Sequence, residues 1–170
     1  MDTKTILFAF DGSSESLEAL NLARFLAERF NSEIICIHVI AMSTRLIYKH
    51  FAEHPESKFN RWMEKARKEY KTKLSRIEDE LRAQGISCQV RVLKGESSKK
   101  IAQVARSEKA DLIVVGKRGL GLIDRMLTGS TTLKVLTESK IPVLAVKRKD
   151  QENSHEDSFL RAPQRLESAG

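Results

Sequence analysis

Val114-Val115-Gly116-Lys117-Arg118-Gly119-Leu120-Gly121-Leu122-Ile123-Asp124-Arg125-Met126-Leu127-Thr128-Gly129-Ser130-Thr131-Thr132 runs out of an apolar strand, through spaced glycines, into a helix that ends near Ser139. Glycines where a strand emerges mark the carboxyl edge of an open α/β sheet, where ligands bind. Gly116 and Gly119 let main chain approach a ligand without a Cβ collision, and Gly129, Ser130 and Thr131 set amide hydrogens and hydroxyls at a helix start. These are the requirements of a phosphate cradle. The partial positive charge of the helix N-terminus favours an anion, and Lys117, Arg118 or Arg125 adds neutralising charge. From spacing alone, the bland alternative stays open: the glycines end a strand and cap a helix.

Outward from this segment, short apolar runs alternate with amphipathic stretches, the pattern of repeated strand-helix units. Five strands are predicted, at Thr5 to Phe10, Glu33 to Ile40, Ser87 to Leu93, Asp111 to Gly116 and Pro142 to Lys147. All but the third are almost continuously apolar, as strands covered on both faces must be. The third alternates through Cys88, Val90 and Val92, which suits an edge. Ser13 and Ser14 mark a helix start before Glu15 to Phe30, and Ser97 or Ser98 opens another that runs to Lys109. A long helix carries Phe59, Trp62, Met63, Ala66, Tyr70, Leu74, Ile77 and Leu81 at three- and four-residue spacing, so Trp62 reads as packing, and Gly85 stops it. Parallel neighbours need crossover helices of right-handed sense, so the fold expected is a doubly wound α/β sheet with helices on both faces. The domain spans 1–150, and the polar residues 151–170, with Pro163, read as an extension.

The chain has 170 residues with 30 Lys plus Arg against 23 Asp plus Glu, a formal charge of +7, and that length suits a single core. No apolar run approaches the ~18 residues that a membrane span needs. Residues 58–82 hold nine basic and five acidic residues, but their aromatics fall on the packing stripe and are not interleaved with that charge as a stacking platform would need, so nucleic acid is not an expected partner. Cys36 and Cys88 are too few for a disulfide framework and read as buried free thiols, which places the chain in the cytoplasm.

Familiar nucleotide signatures fail on inspection. A Walker loop needs Gly-Lys before Ser or Thr, and a GxGxxG fingerprint begun at Gly119 meets Asp124 where glycine is required. His50-Phe51-Ala52-Glu53-His54 has the order of one zinc-protease motif, but Pro55 disfavours the helix that would converge both imidazoles on a metal. His38, at a strand end, reads as a satisfied buried histidine. Asp11, before Gly12 and a helix, has a capping or turn-forming alternative to any ligand role.

The motif Gly116, two residues, Gly119, nine residues, Gly129, Ser130 resembles the nucleotide-binding branch of the universal stress protein family. The likeness spans residues 3–148, with Phe10-Asp11-Gly12-Ser13, His38-Val39-Ile40 and Ile141-Pro142-Val143-Leu144-Ala145-Val146 in register. It implies a five-stranded parallel sheet of order 3-2-1-4-5, ATP (or ADP or AMP) at the carboxyl edge, and a homodimer through Pro142–Lys147. The resemblance assigns nucleotide contacts to Ala9, Asp11, Val39, Val115, Gly116, Lys117, Arg118, Gly119, Leu120, Gly121, Leu122, Gly129, Ser130, Thr131 and Thr132. Asp11 would accept hydrogen bonds from adenosine, Val39 would contact adenine, residues 116–122 would wrap ribose and phosphates, and Ser130 to Thr132 would bind phosphate oxygens. Leu120-Gly121-Leu122 departs from the family's frequent Leu-Ser-Gly order. Magnesium or manganese would accompany the triphosphate through phosphate oxygens and water. No general base stands out, with Asp11 and Asp124 the only candidates, so a regulatory or signalling module in the stress response is expected, with slow ATP hydrolysis or autophosphorylation as the alternative.

Overall fold

A computed structural model of the chain describes residues 4–41, 56–117 and 130–147. Nine elements alternate along it: β1 (Thr5–Ala9), α1 (Ser14–Phe30), β2 (Glu33–Ala41), α2 (Glu56–Ala83), β3 (Cys88–Gly95), α3 (Ser97–Ser107), β4 (Leu112–Lys117), α4 (Ser130–Glu138) and β5 (Val143–Lys147). The strands form one sheet of order β3-β2-β1-β4-β5, and each pairing is parallel. The alternating β3 is an edge strand, as its sequence predicts.

Each face of the sheet has its own core. Ile6, Phe8, Ile34, Cys36 and Val114 meet α1 and α2, whereas Leu7, Ile35, Ile37, Ile113 and Val115 meet α3 and α4. These central strands are buried on both faces, which explains their unbroken hydrophobicity. Helix α1 buries Ser16, Ala19, Ala23 and Ala27, a stripe of small side chains that lets its backbone lie close to β4. Ser13 is its N-cap, with Oγ accepting from the Ser16 amide at 3.1 Å. For α3 the cap is Glu96 rather than a serine, and its side chain makes no capping hydrogen bond.

Element ends shift by a residue or two from their sequence-predicted bounds, as where the fourth strand is Leu112–Lys117, the fifth begins at Val143 and the helix from Ser97 ends at Ser107. The first strand ends at Ala9, and Phe10 instead donates its amide to the Ile37 carbonyl at 2.8 Å as the chain turns. The third begins at Cys88 and runs on to Gly95. Trp62 stays 37% exposed, while Leu74, Ile77 and Leu81 are buried. Helix α2 has 28 residues and spans ~42 Å, against ~30 Å for the nine-residue β2, so its first turns outrun the sheet. Gly85 does close this region in a positive-φ turn, φ +80°.

Both cysteines are free and buried on adjacent strands. Burial is the main reason that the Cys36 thiol is held well above its ordinary range and the Cys88 thiol is pushed up to about 12. Both therefore stay protonated and unreactive. No described helix is long and apolar enough to cross a membrane.

Candidate functional site

β1 feeds α1 on one face of the sheet, while β4 feeds α4 on the other, so the chain parts between neighbouring strands at their carboxyl ends. A crevice opens wherever an open sheet divides in this way. Here it is an open cleft. Ala9 and Asp11 border it from the end of β1, Ile37 and Val39 from β2, and Val115 and Gly116 from β4. Thr131 and Thr132 contribute from the first turn of α4, and Ser97 and Ile101 from α3. The starts of two helices therefore face one space, each with amide hydrogens that lack an intrahelical acceptor.

Of the residues expected from the sequence, Ala9, Asp11, Val39, Val115, Gly116, Thr131 and Thr132 line this one cleft. Ser130 begins α4, and Lys117 is the exposed last residue of β4, not part of the lining. Arg118, Gly119, Leu120, Gly121, Leu122 and Gly129 lie outside the described residues, as do Asp124, Arg125 and the His50–His54 motif. Phe10, Ile37, Ser97 and Ile101 line the cleft without having been expected there. Ser97 had a usable signal, because it opens the helix directly after the carboxyl end of a strand. The others reach the cleft only through tertiary packing.

Asp11 serves local structure as well as the cleft. Its Oδ1 accepts the Ser13 amide at 2.9 Å and the Ser13 hydroxyl at 2.5 Å, while Ser13 Oγ caps α1. The turn-forming reading is thus realised, and the same carboxylate borders the crevice. Gly116 has a structural reason that the sequence reasoning did not give. A Cβ there would sit 2.7 Å from Glu15 C and Ser16 N, in the backbone of α1, so the close approach of that helix by itself requires glycine at this cleft position. Thr132 donates its hydroxyl to the Gly116 carbonyl at 3.2 Å, tying α4 to the end of β4.

From behind, the Phe10 turn rests on His38, whose ring is buried and whose Nδ1 lies 2.8 Å from the Phe10 carbonyl oxygen. With that carbonyl as acceptor, Nδ1 carries the proton. The imidazole stacks on Tyr70 with centroids 3.3 Å apart and planes at 7°. Burial lowers its pKa from the ordinary 6.5, outweighing the opposing pull of the Phe10 carbonyl and Asp11. His38 is a satisfied buried histidine, as its position predicts. Beside Ser97, Glu96 ties α3 to α4 by accepting from Lys134 Nζ at 3.1 Å, and it also accepts from Lys99 Nζ of its own helix at 2.9 Å. Hydrogen bonds from Lys99 and then Lys134 hold its carboxyl down at about 2. No cluster of three or more metal-ligating side chains occurs among the described residues.

Parallel order 3-2-1-4-5, with a crevice between helix N-termini at the switch point, defines a doubly wound α/β protein. The chain belongs to the universal stress protein family, whose sequence pattern matches residues 2–147. A universal stress protein of Thermus aquaticus is 34% identical over 146 residues, covering 85% of this chain and 98% of its own. Universal stress protein MJ0531 of Methanocaldococcus jannaschii is 31% identical over 150 residues, covering 88% and 85%. Among solved structures, that of MJ0577, also a universal stress protein of Methanocaldococcus jannaschii, superposes with a TM-score of 0.74 at 30% identity, covering 88% of this chain and 99% of that one.

Proposed function

We propose that the cleft binds an adenine nucleotide, with ATP as the favoured form, and that occupancy makes this protein a regulatory module in the stress response. The observation that carries the reading is the convergence of seven residues, picked from distant parts of the sequence, on one crevice. The lining fits the group in kind, an apolar wall with a few convergent polar groups, as small-molecule sites have. Ile37, Val39, Ile101 and Val115 offer apolar surface to a base, and Asp11 offers acceptor oxygens to a ribose or base edge. Thr131, Thr132 and the start of α4 offer donors to phosphate. Two more distant solved relatives are complexes with cAMP and with dAMP, which supports the adenine nucleotide class.

Magnesium or manganese would ride on the phosphate oxygens and water, with Asp11 the one carboxylate among the described residues that line the cleft. Asp11 is already committed to the Ser13 turn, and among the described residues no histidine or lysine lines the crevice to activate water. That favours binding over turnover. A steady multiple-turnover ATPase rate, abolished in Asp11→Asn, would instead establish the slow-enzyme alternative. The functional unit in this reading is a homodimer paired through β5, in the cytoplasm. β5 is a sheet edge with half-buried apolar side chains, beside exposed Leu133 and Leu136 of α4.

The binding test is direct. Freshly purified protein is denatured and the released small molecules identified by mass spectrometry, for wild type and for Gly129→Val. An adenine nucleotide released by wild type and missing from the variant is expected. Absence of nucleotide from both, together with no ATP binding by calorimetry, would refute the reading.

A further inference from the structure

The edge of the sheet opposite β5 carries a second groove, which shares no lining residue with the nucleotide cleft. Among the described residues β3 pairs with no strand but β2, so its outer side presents main-chain donors and acceptors to a further strand. Two adjoining hollows of about 950 and 780 Å³ run along this edge between β3 and α2, sharing Glu64, Arg67 and Val92. Arg67, Lys68, Lys71, Lys94 and Lys100 reach them, with Glu64 the only acid in either lining. Among the described residues, none of Arg67, Lys68, Lys71 and Lys94 enters an ion pair. Arg91, which also lines one hollow, is paired with Glu108. Charge that merely guarded an edge would need one or two lysines on the strand itself, whereas here Arg67, Lys68 and Lys71 add a row from the neighbouring helix α2.

We propose that the β3–α2 groove docks an extended acidic segment of a partner protein, which adds a strand to the β3 edge and sets its carboxylates against the α2 cations. The spacings agree. Alternate side chains on a strand recur every ~6.6 Å, and Arg67 and Lys71, four apart on α2, are separated by ~6 Å along the helix axis. Main-chain pairing supplies affinity and the charge row supplies selectivity in this mode of recognition. A nucleic acid strand matches the charge but not the edge, and no aromatic side chain lines either hollow to stack a base.

The test uses the full chain and a fluorescein-labelled peptide of alternating valine and glutamate, eight residues long like β3, read by anisotropy. Binding that weakens with salt is expected, together with roughly tenfold loss when alternate peptide amides are N-methylated or when glutamate is replaced by lysine. Arg67→Glu with Lys71→Glu should cost roughly tenfold or more while leaving nucleotide binding and circular dichroism unchanged. Should that pair of changes disturb folding, Arg67→Gln with Lys71→Gln should show an intermediate loss. No binding, equal binding of the N-methylated peptide, wild-type affinity in the Gln variant, or tighter binding of an oligothymidylate than of the peptide would each overturn the proposal.

Discussion

Gly116→Ala isolates the contact between the end of β4 and the first turn of α1. The new Cβ would stand 2.7 Å from Glu15 C and Ser16 N and 2.9 Å from Glu15 O. Carbon atoms rest at ~3.5–4.0 Å, so close to 1 Å must open between strand and helix, and the obstructing atoms are backbone that cannot rotate away. Overpacking of that kind costs ~1–3 kcal/mol. At ~2–4 °C per kcal/mol for a chain of this size, the melting temperature should fall by ~2–12 °C. The displaced turn also carries Ser13, which is hydrogen-bonded to Asp11 at the cleft, so nucleotide affinity should fall with stability. Gly85→Ala serves as the control, since nothing lies within 4 Å of its added Cβ and its φ of +80° makes the cost purely conformational. It should lower the melting temperature without changing nucleotide affinity. Calorimetric melting and nucleotide titration of both variants measure this, and a Gly116→Ala protein with wild-type melting temperature and affinity refutes the packing argument.

Ser13→Ala removes the α1 cap and the hydroxyl that holds Asp11, and should cost ~1 kcal/mol, or ~2–4 °C in melting temperature. Stability should decline as pH falls below 6.5, because His38 binds its proton less readily when folded than when unfolded, so acid favours the unfolded chain. That slope should diminish in His38→Asn, measured by denaturant titration at pH 7.5 and pH 5.5. A separate acid loss, from Glu96, Asp111 and Glu108, whose folded pKa values are depressed, should appear only below their ordinary carboxylate range. Charged substitution at Val143 or Val146 on β5 should convert a dimer to monomer in sedimentation, and a monomeric wild type refutes the dimer.

The five strands were legible because four of them are covered on both faces, and such strands show as unbroken apolar runs such as Ile34 to Ile37. The Ser13 cap was legible because capping is local. Trp62 does pack, with its ring centroid 6.2 Å from that of Phe59, but its partial exposure was not legible, because helical spacing records which face a residue occupies and not where the partner sheet stops. The cleft was half legible: Ala9, Asp11, Val39 and the residues around Gly116 and Thr131 follow strand ends, where the fold dictates ligand access. Ile101 and the Glu96–Lys134 bridge depend on how α3 lies against α4, which no local pattern encodes.

Gly116 shows how one residue can look functional for a reason that belongs to the scaffold. Spacing marked it as part of a ligand loop, yet its missing side chain makes room for Glu15 and Ser16 of α1. The two roles are physically linked. Because α1 can press against β4, its capped start holds Asp11 on the near side of the crevice, while the Gly116 carbonyl takes the Thr132 hydroxyl and holds α4 on the far side. A side chain at this position would push one wall away from the other before it met any ligand. The close approach of a helix to a strand is therefore what sets the width of the cleft, and the glycine acts on nucleotide binding through that distance.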